Sequence, residues 1–107
     1  MITTIQTNVK AAEDLLCEAV LATIFLAYRE SQSASPPKTF SGISAMDIST
    51  RANIYREKGE AGMNDAIVHG ILNKLADEKK VERPGSGLWT LTKAELDNRI
   101  QQAKAAT

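Results

Sequence analysis

The chain has 107 residues, of which 43% are hydrophobic, and its 13 basic and 13 acidic side chains cancel to a formal net charge of zero. A chain of this size and composition fits one globular domain with a modest core and is too short for two. It has neither the roughly 20 consecutive apolar residues of a membrane span nor a basic segment followed by an apolar block at its start, so we expect a cytoplasmic protein.

Cysteine and histidine, which form disulfides and bind many metals, are scarce in the sequence. Cys17 is the single cysteine and His69 the single histidine, so we expect no disulfide within the chain and no metal cluster. No nucleophile lies in a recognisable local motif, and the glycines of residues 84–87 match neither a Walker loop nor a dinucleotide fingerprint. The sequence therefore favours a binding protein over an enzyme, without a catalytic, cofactor or metal site.

The first third of the chain has the composition of a long helix. Residues 8–30 are rich in Ala, Leu and Glu and contain neither Gly nor Pro, which predicts a helix of about six turns. Pro36 and Pro37 end the polar run that follows. Because proline cannot continue a helix, residues 31–42 are predicted to form a mobile connector.

A second helix is predicted over residues 43–55. Ser44 is its expected N-cap, with Asp47 in a pattern resembling a capping box. The buried face of this helix is predicted to hold Ile48, Ala52 and Tyr55. Residues 56–62 are charged and contain two glycines, so they are expected to form a polar turn.

A third helix is predicted to follow, with Asn64 or Gly62 as its cap, and to run to about residue 79. Its apolar residues recur at helical spacing, which places one stripe toward the core. The stripe contains Val68, Ile71, Leu72 and Leu75. The opposite face is small and polar and contains Ala66, His69, Gly70, Asn73 and Asp77.

The pattern then changes to that of a hairpin and a last helix. Residues 80–83 and 88–91 are short strand-like runs on either side of a loop with Pro and Gly. Thr92 and Glu95 form a capping box, which predicts a helix over residues 93–104.

The segment from Asn64 to Thr92 resembles the third helix and wing of winged helix-turn-helix proteins. Residues Ile71 to Arg83 carry an aliphatic stripe and a charged end. A Gly-containing turn follows, and then the segment Leu88-Trp89-Thr90-Leu91-Thr92. The resemblance implies a mostly α fold with a small β-hairpin, in which residues 43–92 form the helix-turn-helix and wing. The turn before the third helix is longer than the three or four residues of a compact helix-turn-helix.

Members of this family bind double-stranded DNA, with the third helix in the major groove and the wing on phosphate or in the minor groove. The resemblance implies base-edge contacts from His69 and Asn73. It implies phosphate contacts from Arg56, Lys58, Lys80 and Arg83. Residues 51–83 hold seven basic and six acidic side chains, which is a weak electrostatic footprint for DNA binding.

The first helix carries a signal for assembly. The polar sector of its first half contains Lys10, Asp14 and Glu18, and the same sector then becomes apolar with Leu21, Phe25 and Tyr28. This strip requires cover from a strand-like N-terminal tail, the last helix or a second subunit, and we favour a homodimer. Two classes of function stay open: a dimeric DNA-binding regulator, and a winged-helix module that binds another protein.

Overall fold

A computed structural model of the chain describes residues 4–59 and 62–106, with side chains from Val9 onward. Over these residues the chain forms four helices and two antiparallel two-stranded sheets. The elements are α1 (Thr4–Ser33), α2 (Ala45–Ala52), β1 (Glu57–Gly59), β2 (Gly62–Asn64), α3 (Ala66–Asp77), β3 (Val81–Gly85), β4 (Leu88–Leu91) and α4 (Lys93–Ala105). The predicted mostly helical architecture with a hairpin before the last helix is confirmed.

Helix α1 is longer at both ends than predicted. It begins at Thr4, so the strand-like tail is wrong for residues 4–7, and residues 1–3 lie outside the described residues. At the other end the helix continues to Ser33. The connector then folds back, and the backbone N–H of Lys38 donates to the carbonyl oxygen of Ser31 at 2.9 Å. This bond and a Gln32 side-chain bond to the Lys38 carbonyl anchor the connector to the end of the helix.

Helix α2 begins at Ala45, after the predicted N-cap Ser44, and ends earlier than predicted. The Ser44 hydroxyl accepts a hydrogen bond from the Asp47 backbone N–H, as expected of the N-cap. The helix stops at Ala52 because Asn53 adopts the left-handed conformation, which asparagine tolerates, and the Ile54 N–H then closes the turn on the Ser49 carbonyl. The prediction that Tyr55 lies on the buried face is wrong, since Tyr55 is 70% exposed.

The polar turn predicted before α3 is a short antiparallel sheet. We call the pair β1 and β2 the ribbon; its register pairs Glu57 with Asn64 and Lys58 with Met63. Every described residue of the ribbon is exposed, and residues 60–61 at its apex lie outside the described residues. The connection between α2 and α3 therefore carries an exposed two-stranded ribbon in place of the predicted polar turn.

The second sheet, which we call the wing, is the hairpin of β3 and β4. Its base is fixed by the end of α3, where Lys79 adopts a positive φ and the Lys80 N–H donates to the Leu75 carbonyl. The Thr92 hydroxyl donates to the Lys79 carbonyl at 2.9 Å and also caps α4 by accepting from the Glu95 N–H. The direction in which the wing leaves α3 is thus set by hydrogen bonds of the backbone and of the Thr92 hydroxyl.

The core lies between α1, α2, α3 and the wing. Its fully buried members include Val20 and Ile24 of α1, Ile48 of α2 and Leu72 of α3. A backbone bridge between Ile43 and Trp89, with N···O distances of 3.0 and 2.9 Å, attaches the wing to the segment before α2. Gly42 permits this approach: its φ is +118°, and a Cβ there would lie 2.9 Å from the Leu88 Cβ.

Candidate nucleic-acid interface

The two faces of α3 lie as the sequence predicted. The apolar stripe is buried, and Val68, Leu72 and Leu75 have no exposed surface. The opposite face is exposed along the whole helix, with Ala66, His69, Gly70, Asn73 and Asp77. We call these five residues the α3 face. Its side chains are small or polar, so a partner can approach the helix backbone closely.

Arg56, a predicted phosphate contact, is bound within the chain. Its Nε donates to Oδ1 of Asp65 at 2.6 Å, and NH2 lies 3.5 Å from Oδ2. Arg56 lies directly before β1 and Asp65 directly after β2, so this ion pair joins the two ends of the ribbon. The contact also positions the ribbon against the start of α3. Arg56 is therefore a structural residue, and a phosphate contact would have to compete with Asp65.

The Asp65 carboxylate is held in its charged form. It is 8% exposed, and its hydrogen bond from Arg56 is the main cause that lowers the pKa of this carboxyl below its ordinary value. Asp65 is also the N-cap residue of α3, so the prediction of Asn64 or Gly62 as the cap is wrong, and a negative charge at this position is favoured by the helix dipole. Because the carboxylate is engaged with Arg56, the amide oxygen of Asn64 accepts the Ala66 N–H instead.

Arg56→Ala is expected to reduce the free energy of unfolding by about 1–3 kcal/mol, because it leaves a buried carboxylate without its partner. Arg51→Ala is the matched control: Arg51 pairs with Glu30 at a similar distance of 2.8 Å, but the two side chains are 45% and 63% exposed. Exposed pairs of this kind contribute less than about 1 kcal/mol. Urea unfolding of both variants and the unmodified protein measures the difference, and equal losses would contradict a buried role for Arg56.

The same pair predicts a pH dependence. Since the pKa of Asp65 is lower in the folded state, its stabilisation is complete above the ordinary value of 3.8 and is lost as the pH falls through the lowered pKa. The stability difference between the unmodified protein and Asp65→Asn should therefore shrink as the pH is lowered across this range. A difference that stays constant would show that the carboxylate charge does not contribute.

Lys80, another predicted phosphate contact, lies in a charged cluster at the C-terminal end of α3. Its Nζ is 3.7 Å from the Glu78 carboxylate. Glu78 also accepts a hydrogen bond from Lys74 at 2.6 Å, which lowers the pKa of Glu78 and raises that of Lys74. Lys74 reaches Glu13 of α1 at 3.3 Å as well. These acidic partners weaken the positive potential that Lys80 offers to a phosphate.

Lys58 and Arg83 are the predicted phosphate contacts that no acidic side chain of the described residues binds. Both are exposed, and among the residues that the structure describes neither one forms an ion pair. Lys58 lies on the ribbon. Arg83 lies on the wing, with its guanidinium 5.0 Å from the centroid of the buried Trp89 ring. The ribbon enters α3 at its N-terminus and the wing leaves at its C-terminus, so the two cations come from elements at opposite ends of the α3 face.

The structure adds apolar residues that the sequence analysis did not single out. Met63 on the ribbon and Ile67 in the first turn of α3 are 50% and 39% exposed. Their isolated positions in the sequence give no periodic signal. They lie close to Ala66 in the sequence, so the surface beside the start of the α3 face contains exposed apolar side chains.

The strip predicted for dimerisation is largely covered by the chain itself. Leu21 is 3% exposed and belongs to the core, so it offers no surface to a second copy. Tyr28 meets Phe40 of the connector edge to face at 6.1 Å, and Phe25 stacks on Tyr28. The last helix lies along the same sector, where Arg99 holds Glu18 at 2.7 Å and Ile100 lines a groove with Phe25 and Tyr28. Phe25 and Tyr28 keep partial exposure.

Within residues 4–59 and 62–106 there is no group of three or more His, Cys, Asp or Glu side chains placed to hold a metal ion. The same residues contain no helix long and apolar enough to cross a bilayer. No protein-family model matches the chain, and no curated protein or solved structure shows significant similarity to it.

Proposed function

We propose that the protein is a small winged helix-turn-helix regulator that binds double-stranded DNA as a homodimer, with the α3 face in the major groove. The observation that carries this proposal is Gly70, in the middle of α3. A Cβ at this position would meet nothing within 4 Å, so packing within the chain does not require glycine. Glycine inside a helix costs roughly 0.5–1 kcal/mol relative to alanine. The cost is explained if a partner approaches the helix backbone at Gly70.

The side chains around Gly70 suit a base edge. Asn73 lies one turn further along the exposed face, and an asparagine can pair in a bidentate way with the N6 and N7 atoms of adenine. His69 lies beside Gly70 and offers one donor and one acceptor. Asp77 lies at the far end of the face, so the N-terminal two thirds of α3 would be closest to the bases.

Two exposed cations flank this face from different elements. Lys58 on the ribbon and Arg83 on the wing would contact phosphates on either side of the groove. Arg56 and Lys80 contribute less, because Asp65 and Glu78 already hold them. The small number of free cations predicts modest affinity in the absence of base contacts.

Two substitutions at Gly70 separate the stability of α3 from its binding to DNA. Gly70→Ala should raise the free energy of unfolding by about 0.5–1 kcal/mol, because the methyl group enters open space and alanine favours the helix. Gly70→Leu should leave the fold intact and abolish close approach, with a large loss of duplex affinity. Thermal melts and fluorescence titration of the two variants provide the measurement. Full duplex binding by Gly70→Leu would contradict insertion of this face.

The direct test of the proposal is titration of labelled random and genomic duplexes at several salt concentrations. Affinity should fall with salt by a slope of roughly 0.9 for each phosphate that the protein neutralises. Lys58→Ala and Arg83→Ala should each flatten that slope by about 0.9 and weaken binding to all sequences equally. Lys104→Ala on α4, outside the proposed surface, is the control and should change neither quantity.

Asn73→Ala should act differently from the lysine and arginine variants. It should keep the salt slope and alter sequence preference by about 1–3 kcal/mol at one base position. Absence of duplex binding at low salt by folded, correctly assembled protein would exclude the proposal.

A second function has one specific observation in its favour. Tyr55, Met63 and Ile67 are exposed near the ribbon and the start of α3. Such apolar side chains suit a polypeptide surface, and the chain has no net charge. The alternative is therefore a protein-interaction module that uses the same end of the molecule. It predicts salt-insensitive binding to a protein and no affinity for duplexes.

A further inference from the structure

A cavity of about 590 Å³ is lined by residues of α1, the connector, the wing and α4. Its lining includes the core residues Ile24 and Leu91 and the partly buried Leu96 of α4. Sites that bind small molecules in proteins have volumes of roughly 300–1,000 Å³ and mostly apolar linings. This cavity is therefore large enough for a ligand with one or two rings, and it lies apart from the α3 face.

Two aromatic side chains of the lining are positioned by contacts with other rings. Tyr28 of α1 and Phe40 of the connector meet edge to face, with their centroids 6.1 Å apart. Phe25 stacks on Tyr28, with centroids 6.4 Å apart. Aromatic rings pack favourably on other planar rings, and side chains that are already ordered lose little entropy when a ligand binds. These rings favour an aromatic ligand.

The charge of the lining specifies the polar group of the ligand. Among the described residues that line the cavity, Lys38 is the only charged one. Lys38 also borders a neighbouring groove that contains Glu30 and Asp47, but no ion pair joins its ammonium to either carboxylate. One cation beside apolar walls suits one negative charge. A doubly charged phosphate would leave a charge without compensation, which is costly in such surroundings.

Hydroxyl groups add donors near the same cation. Tyr28, Thr39 and Thr90 line the cavity. Within the part of the chain that the structure describes, none of their hydroxyls forms a hydrogen bond. Each can donate to a carboxylate oxygen, which accepts more than one hydrogen bond.

We propose that this cavity binds a small aromatic carboxylate, with its ring against Tyr28 and Phe40 and its carboxylate on the Lys38 ammonium. The site takes its residues from the connector, the wing and two helices, and it uses no residue of the α3 face. Binding of the carboxylate therefore requires no DNA and can be tested separately from duplex binding.

Isothermal titration calorimetry of the intact protein with 2-naphthoate is the first test. For a ligand of this size we expect a dissociation constant of roughly 1 mM or lower. The neutral 2-naphthamide and the cationic 2-naphthylmethylamine have the same rings and a different polar group. The amide should bind more weakly than the carboxylate, and the amine should bind most weakly. Equal binding of the three compounds, or no binding of 2-naphthoate, would overturn the proposal.

Variants of Lys38 test the ion pair. Lys38→Ala should weaken 2-naphthoate binding by roughly tenfold and leave 2-naphthamide binding unchanged. The fold should be preserved, because the hydrogen bonds that Lys38 forms use its backbone. Lys38→Arg should restore 2-naphthoate binding. Lys10→Ala is the matched control, since this exposed lysine lies about 27 Å from Tyr28 along α1. Unchanged 2-naphthoate affinity in Lys38→Ala would contradict the proposed contact.

A substitution in the lining tests the location of the ligand. Thr39 is exposed, so Thr39→Trp places a large side chain at the cavity without burying it in the core. This variant should keep its circular dichroism spectrum and lose 2-naphthoate binding, whereas Thr39→Ser should bind normally. In the unmodified protein, 2-naphthoate should shift the amide resonances of residues 37–41 and 90–91. Shifts confined to other residues, or full binding by Thr39→Trp, would overturn the proposed site. Failure of duplex binding with intact 2-naphthoate binding would reject the proposed function alone.

Discussion

Leu72→Ala is expected to lower the free energy of unfolding by about 2–5 kcal/mol. Leu72 has no exposed surface and lies in the middle of the α3 stripe that packs against α1. Removing its side chain takes apolar surface out of the core and leaves a cavity that the surrounding helices can fill only in part. The loss would be a large fraction of the 5–15 kcal/mol by which small domains are stable.

Asn73→Ala is the matched control, one position along the same helix. Asn73 is exposed, and no hydrogen bond of its side chain supports the fold in the residues described. Its replacement should change stability by less than about 0.5 kcal/mol. Denaturant melts of the two variants compare the faces directly. Similar losses would mean that the faces of α3 are rotated and that Asn73 is not available to a partner.

Trp89→Ala is expected to cost about 3–5 kcal/mol, because the indole is 3% exposed and is the largest side chain of the wing that enters the core. Its loss would also loosen the attachment of the wing to the segment before α2, which depends on the backbone bridge between Trp89 and Ile43. The bridge itself does not use the side chain, so the wing should remain a hairpin with a displaced base.

Two further variants separate packing from the contact with Arg83. Trp89→Phe keeps an aromatic ring and should lose less stability than Trp89→Ala. Arg83→Ala removes the exposed cation above the ring and should cost less than about 1 kcal/mol. Urea unfolding followed by circular dichroism measures all three. A loss below 1 kcal/mol for Trp89→Ala would contradict the placement of the indole in the core.

The features that were predicted correctly from the sequence, such as helix caps and helix faces, depend only on residues that are close together in the chain. Ser44 and Thr92 cap their helices because each hydroxyl accepts a hydrogen bond from the backbone N–H three residues later. This bond forms within one turn, so it does not depend on contacts with distant segments. The buried and exposed faces of α3 follow from helical spacing alone. The residues proposed to read DNA bases, His69 and Asn73, were placed correctly on the exposed face for the same reason.

The features that sequence missed depend on contacts between distant segments or on single backbone conformations. The Glu18 contact with Arg99 joins residues 81 positions apart, so the periodicity of α1 does not show that α4 would cover part of the predicted strip. Arg56 was predicted to contact phosphate, but its side chain binds Asp65, nine positions further along the chain. The end of α2 depends on Asn53 entering the left-handed region, which its neighbours do not specify.

The measurement that tests the DNA proposal most directly is nuclear magnetic resonance of isotope-labelled protein during addition of a short duplex. We expect the largest changes in the amide resonances of His69, Gly70 and Asn73, with smaller changes at Lys58 and Arg83. Resonances of Leu15 and Leu26 on α1, which lie outside the α3 face, should stay unchanged. Changes confined to α1 or α4, or no changes at low salt, would contradict the proposal that the α3 face binds DNA.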